Sequence, residues 1–339
     1  MKKITVILLG ILIAGSVYAQ SGSPKQLQAN ARTLMQQGDF DNAVKALESA
    51  RQQDPNSLEL LRDLAYANFL KRDFARSIEI GKMMIDRPDA DEQSYQVLGM
   101  AYKGIASYKE AGKLYRAALK KFPNSGVIYN EYAEMSAMDK DMDQAISLWE
   151  KGIEMDASYS SNYYNAAMYY ARNQNWIRAI LYGEVFLNLE SYTGRTAEVK
   201  PVLYNAYKNL LAPGMLSALQ NAKSSTVFEK DVLASFAKAA ASTKEITSVE
   251  SLTALRTQFL QDWAQEKQKK YPFRLFEHQQ SLLKDGLFEA YNYWLFSPAV
   301  NADNLKNWEN SHPKEAAGFK KFQDSRVFRV PAGQYYFAS

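Results

Sequence analysis

Glu92 to Ser125 reads EQSYQVLGMAYKGIASYKEAGKLYRAALKKFPNS, and the spacing of its large and small residues decides the fold. With Glu92 as position 1, Tyr95, Tyr102, Tyr108 and Tyr115 stand at positions 4, 11, 17 and 24, and Leu98 at 7. Gly99 and Ala111 stand at 8 and 20, Ala118 at 27 and Pro123 at 32. Sliding this frame by 34 residues in both directions shows a period. Position 8 becomes Ala31, Ala65, Gly99, Ala133 and Ala167; position 20 becomes Ala43, Ser77, Ala111, Ala145 and Ala179; position 17 becomes Phe40, Phe74, Tyr108, Met142 and Trp176. Five frames, 24–57, 58–91, 92–125, 126–159 and 160–193, tile the chain without an insertion.

The pattern has a physical cause. Two helices packed closely leave room only for small side chains at their nearest approach, while large apolar ones fill the groove alongside. Turn signals separate the two helices of each frame: Gly38-Asp39, Arg72-Asp73, Ala106-Ser107, Lys140-Asp141 and Gln174-Asn175. The Asp, Ser or Asn of each pair is placed to cap the second helix. Asp54-Pro55-Asn56, Arg87-Pro88 and Phe122-Pro123-Asn124 end second helices, because proline cannot continue one.

This spacing resembles the tetratricopeptide-repeat family over about half the chain. The resemblance implies an all-α helical solenoid of about five to six repeats whose first helices line a concave face. Asn30 departs from it at apolar position 7, as an end repeat with an open face permits, and the last frames lack the closing proline. Gly81 and Gly183 at position 24 either draw neighbouring helices together or weaken their frames. Residues 194–225 read as a degenerate repeat that caps the array. Val202 to Tyr207 echoes Val127 to Tyr132 after a seven-residue slip at 194–200, but Lys208 stands where a small residue belongs and Pro213-Gly214 follows.

From 226 to 339 the period disappears and the expectation is a mainly helical C-terminal domain. Thr247 to Glu250 reads as a capping box opening a helix from Val249 to Lys270, with Leu252, Leu255, Phe259, Leu260 and Trp263 on one stripe. Helices are expected over Leu275 to Leu283, Leu287 to Phe296, Ala302 to Glu309 and Pro313 to Phe322, and then a short extended or hairpin tail. The segment Tyr271 to Phe296 resembles tails of exported repeat proteins of Bacteroidetes-type bacteria, a resemblance that implies no activity.

Residues 1–19 read as a secretory signal: Lys2 and Lys3, an apolar stretch from Ile4 to Val17, then small residues before a cut at Gln20. About 14 apolar residues fall short of the roughly 20 that a spanning helix needs. Export to the periplasm or cell surface is therefore expected. Loss of two lysines takes Lys and Arg from 41 to 39 against 37 acidic side chains, a net of +2 that makes no electrostatic case for nucleic acid. With no cysteine there is no disulfide, thiolate metal site or Cys nucleophile.

Motifs for chemistry are sparse. His278 and His312, the two histidines, fall in different elements and lack the i, i+4 partner of a zinc helix, so packing or surface roles are expected and no metal or cofactor. Asp139, Asp141 and Asp143 alternate like the start of a calcium loop, but no glycine follows and capping explains at least one of them. There is no nucleophile elbow, phosphate loop or dinucleotide fingerprint. Tyr95, Tyr102, Tyr108, Tyr129, Tyr132, Tyr163 and Trp176 hold core positions, which favours packing over sugar stacking; Trp294 and Trp308 are less constrained.

What remains is the concave face, with Arg62, Tyr66, Phe69, Gln96, Met100, Lys103, Asn130, Glu134, Tyr164 and Met168 as the expected contacts. Aromatic and Met side chains beside Arg, Gln and Asn make the mixture of an adaptable peptide-binding groove. The expected role is a non-enzymatic scaffold of the cell envelope for a protein or peptide partner. Two alternatives stand beside it: a C-terminal domain with glycan-binding or hydrolytic activity positioned by the repeats, or a structural subunit of an envelope assembly.

Overall fold

The computed structural model describes residues 22–241, 248–301, 303–325 and 327–335. Among them are 18 helices, and the chain divides into two compact units, 1–107 and 108–339. The division falls inside the third frame, away from 193/194 and 225/226 where sequence composition changes. The expected signal, 1–19, lies outside the described residues.

The first unit holds α1 (Pro24–Gln36), α2 (Phe40–Gln53), α3 (Leu58–Leu70), α4 (Phe74–Ile85) and α5 (Glu92–Gly104). Ser23, Ser57 and Asp91 cap α1, α3 and α5, and Asp39 and Asp73 cap α2 and α4. Each turn after a first helix follows one geometry. The residue before the Asp or Ser takes a left-handed backbone, Gly38 at φ 81°, Arg72 at 66° and Ala106 at 56°. The next N–H then reaches back to the helix: Asp39 to Leu34, Asp73 to Asn68 and Ser107 to Tyr102, each 2.9 Å to the carbonyl oxygen. Only the first of these positions is the glycine that such a turn prefers. Leu27, Ala31, Ala43, Leu47, Leu61, Leu64, Ala65, Ile80 and Met84 form an aliphatic core. A Cβ added to Gly81 would stand 2.9 Å from Leu98 Cβ, so there the glycine permits a close helix approach.

The second unit begins with α6 (Tyr108–Lys121), α7 (Gly126–Met138), α8 (Met142–Met155), α9 (Ser160–Arg172) and α10 (Trp176–Leu189). The same turn recurs at Lys140 and Gln174, φ 68° and 59°, with Asp141 and Asn175 capping α8 and α10. Asp141 accepts from Gln144 N at 3.0 Å, which places it as a cap. Then come α11 (Gly194–Leu210), α12 (Met215–Asn221), α13 (Val227–Ala240), α14 (Val249–Glu266), α15 (Arg274–Lys284), α16 (Phe288–Val300), α17 (Asn304–Ser311) and α18 (Pro313–Ser325).

These helices differ from the sequence expectation in several places. Residues 194–200, read as a slip, are the start of α11, launched by a Thr193/Thr196 capping box. The cap of α14 is Ser248 with Ser251; Thr247 lies outside the described residues. That helix ends at Glu266, four residues early, where Lys267 and Gln268 both donate to the Trp263 carbonyl at 2.9 Å and close a turn. α16 runs through Pro298 to Val300, since a proline in a last turn costs one backbone bond rather than the whole helix. α17 begins at Asn304 and α18 extends to Ser325; Ala302 lies outside the described residues. The tail forms no strand among the described residues. It docks as extended chain over 327–330 and then turns, Gln334 N reaching back to the Pro331 carbonyl (3.0 Å); Arg274 N donates to the Gln334 carbonyl (3.2 Å) and Arg274 Nε to the Arg329 carbonyl (3.1 Å), and Phe328 and Val330 are buried. Tyr336 and Phe337 lie outside the described residues.

One core joins the fourth and fifth frames to the helices that follow. α10 is buried on nearly every side, and Glu184 at its middle is wholly buried. Arg256 of α14 ion-pairs with Glu184 and donates to Asn292 of α16. Gln279 of α15 and Tyr291 of α16 donate to the same Glu184 oxygen at 2.6 and 2.9 Å, and Tyr207 of α11 to its other at 3.2 Å. The rings of Tyr207, Phe288, Tyr291 and Phe296 surround the guanidinium at 5.1–5.7 Å. A pair this dry is sustained by these added hydrogen bonds, which offset part of the cost of taking both charges out of water.

Candidate partner-binding faces

The ten side chains expected on the first-helix face divide between the two units, and each set has its own surroundings. In the first unit Tyr66 is 37% exposed and lies nearly parallel to Phe69, 6.2 Å between ring centroids; Phe69 in turn tilts against Phe74 at 5.8 Å. Arg62, Gln96, Met100 and Lys103 are half-buried. Arg62 Nη1 reaches Asp91 Oδ2 at 2.5 Å and so ties α3 to the cap of α5. Burial works against the Asp91 charge, but the Ser94 hydroxyl and amide and the Arg62 guanidinium outweigh it and hold the carboxyl below its ordinary range. One repeat earlier, Arg32 bridges Glu59 and Asp63 at 2.7 and 2.8 Å.

In the second unit the polar members of the set also brace the helices. Asn130 is buried; its carbonyl accepts from Asn165 of α9 at 2.9 Å and its amide donates to Glu134 at 3.0 Å. Tyr164 donates to Glu198 of α11 at 2.7 Å, its ring lies 5.3 Å from Phe186, and the Arg195 guanidinium lies 5.0 Å over it. Burial and then Glu198 push the Tyr164 hydroxyl up to about 12. Arg195 and Glu198 belong to 194–200, so a register that treats those residues as a slip passes them over. It passes over Asn165 too, whose position the repeat spacing assigns to neither core nor groove.

Met168 has a different environment. With Tyr164, Asn165, Tyr169, Arg172 and Asn173 of the α9 segment, and Met142, Asp143 and Trp149 of α8, it lines a cleft of about 550 Å³. Met142 is 37% exposed and Arg172 is exposed. Two thioethers, aromatic rings, an amide pair and a guanidinium thus line one opening, where apolar burial and directional polar contact act together.

The aromatics singled out in sequence sort unevenly. Tyr95, Tyr132 and Tyr163 are buried, whereas Tyr102, Tyr108, Tyr129 and Trp176 are half-buried. Trp294 and Trp308 are buried: Lys200 Nζ stands 4.0 Å over the Trp294 ring, and Trp308 packs parallel to both Tyr293 and His312 at 4.9 Å. His278 is a packed core side chain, 5.1 Å from Phe328 and 5.8 Å from Phe322. Among the described residues no helix is long and apolar enough to cross a membrane.

Comparison with known proteins agrees with the helical pattern. Residues 29–93 match the family model described as tetratricopeptide repeat. The fold is all-α and of tetratricopeptide-repeat type. A search of curated proteins finds no match to the chain. Among solved structures, MamA 41-end from Desulfovibrio magneticus RS-1 is similar at 17% identity, TM-score 0.40, over 51% of this chain and 97% of that one. A thermophilic TPR protein of Thermus thermophilus is similar at 18% identity, TM-score 0.31, over 70% of this chain and all of the other.

Proposed function

We propose that the protein is a non-enzymatic scaffold of the cell envelope, exported by its first 19 residues, that holds a protein or peptide partner on first-helix faces. The observation that carries this reading is the cleft beside α9. Its lining suits a short peptide segment: Met142 and Met168 adapt to an apolar anchor, Arg172 offers a directional charge, and Asn165 and Asn173 offer amides to a peptide backbone. In the first unit Tyr66 and Phe69 present a second aromatic surface. Arg62, Asn130 and Tyr164 support these faces by bracing the helices. The binding energy on this reading is concentrated in Met142, Met168 and Arg172.

The test places a photo-crosslinking amino acid at Met168, and separately at exposed Val227 as a control, in cells that carry out export. The expected result is a discrete adduct from position 168 in the envelope fraction, lost when Arg172→Glu is added. Identical adducts from 168 and 227, or adducts indifferent to Arg172→Glu, contradict the assignment.

A further inference from the structure

The charges that line the α9 cleft narrow what can fill it, an inference that rests on the function proposed above. Elsewhere on the first-helix faces, charged side chains are tied to neighbours: Arg62 to Asp91, and Arg195 to Glu190. The cleft differs. Arg172, in the last turn of α9, and Asp143, in the first turn of α8, both line it and both are exposed. Among the described residues neither side chain makes a hydrogen bond or an ion pair, with the other or with any third group.

Helix ends favour each sign where it stands, an acid near the first amides and a base near the last carbonyls. Both groups therefore stay ionised when the cleft is filled. A guanidinium and a carboxylate that lose water without gaining a partner are costly to cover. A bound segment removes that cost by bringing a charge of the opposite sign to each.

The neutral polar groups add a second requirement. Asn165 Nδ2 donates to Asn130 Oδ1 and Asn173 Nδ2 to the Tyr169 carbonyl, each at 2.9 Å. With those donors in use, the two side-chain oxygens are left to accept, and the backbone N–H groups of an extended segment supply what they need. Met142, Trp149 and Met168 make the apolar part of the lining, which suits a large apolar side chain between the charges.

We infer that the cleft selects an extended peptide segment in which large apolar residues are flanked by one acidic and one basic residue, the acid pairing with Arg172 and the base with Asp143. The planar guanidinium can take the carboxylate through two parallel hydrogen bonds. Selection comes as much from rejecting other segments as from attracting this one. Two acids leave Asp143 facing its own sign, two bases do the same to Arg172, and a neutral segment covers both charges unpaired.

The full chain, labelled at its methionine methyl groups, is titrated with capped tetrapeptides that carry two central leucines. The flanking residues are glutamate and lysine in either order, glutamate twice, lysine twice, or glutamine twice. A mixed-charge peptide in at least one order is expected to shift the Met142 and Met168 signals. It should bind roughly tenfold more tightly than the glutamine peptide and than either single-sign peptide. Arg172→Glu should transfer the preference to the lysine peptide, and Asp143→Lys to the glutamate peptide, gains that a damaged fold cannot produce. Equal affinity for all the peptides, or a preference that both variants keep, overturns this inference and leaves the proposed function standing. No shift at Met142 or Met168 with any peptide overturns the inference together with the cleft as a peptide site.

Discussion

The two compact units of this chain use charge in opposite ways. In 1–107 the core is aliphatic and the ion pairs stay at the surface: Arg32 and Glu59 keep about half of their side chains in water. In 108–339 the core is crowded with aromatic rings, and its central ion pair, Arg256 with Glu184, is almost wholly buried. The first arrangement contributes little per pair, because exposed charges are well solvated apart as well as together. The second contributes little net energy when intact and costs a great deal when broken, because the survivor is a naked charge in a dry core. Buried charge here therefore does what a 34-residue period cannot: it joins one repeat helix, α10, to helices up to 107 residues away in sequence.

The largest expected effect breaks that contrast at its centre. Arg256→Met should destabilise the second unit by about 3–5 kcal/mol in denaturant unfolding, while Arg32→Met in the first unit should cost under about 1 kcal/mol. The double change Glu184→Gln with Arg256→Met should recover much of the loss. A small effect of Arg256→Met would mean that water reaches Glu184.

Next in size is a pH effect confined to the second unit. Burial holds the Lys200 ammonium, under the Trp294 ring, at about 8 in place of 10.5. The unfolded chain therefore binds more protons than the folded one between those values, so stability is lowest below pH 8 and rises with pH above it. From pH 8 to 10 the gain should be about 2 kcal/mol from this group. Lys200→Met should flatten the slope and raise stability at pH 7. A slope that survives this change assigns the effect elsewhere.

The smallest effect separates two glycines that occupy the same repeat position. A Cβ on Gly81 would stand 2.9 Å from Leu98, whereas at Gly183 the nearest atom is Val199 Cγ1 at an ordinary 3.5 Å. Gly81→Ala should cost roughly 1 kcal/mol, the low end for overpacking, because the Leu98 side chain can give way in part before the helices are forced apart. Gly183→Ala should be neutral or stabilise by up to about 1 kcal/mol through helix propensity. Equal thermal shifts for the two would contradict the close approach at Gly81.

What could be read from the sequence follows the same division. First helices begin at Pro24, Leu58, Glu92, Gly126 and Ser160, because small and large residues recur wherever neighbouring helices touch at one fixed separation. The left-handed turn residues were not legible, since Arg72, Ala106, Lys140 and Gln174 carry no glycine to announce them. Nor was the shared core of α10: a lone Glu184 inside WIRAILYGEVFLNL was the available signal, and a helical period does not say which distant Arg answers it. Of the side chains expected to meet a partner, Arg62, Asn130 and Tyr164 are engaged with neighbouring helices. A position count gives the direction of a side chain and not its local partner. Met168 opens on the cleft instead, beside Met142 and Arg172, which the groove positions did not include.

The most direct test of the proposed role is amide hydrogen exchange on the complex captured through Met168, compared with the free chain. Partner binding in the α9 cleft predicts slowed exchange at the start of α8 and along α9, with α14 and α16 unchanged. Slowing confined to α14–α18, with α8 and α9 untouched, would contradict it.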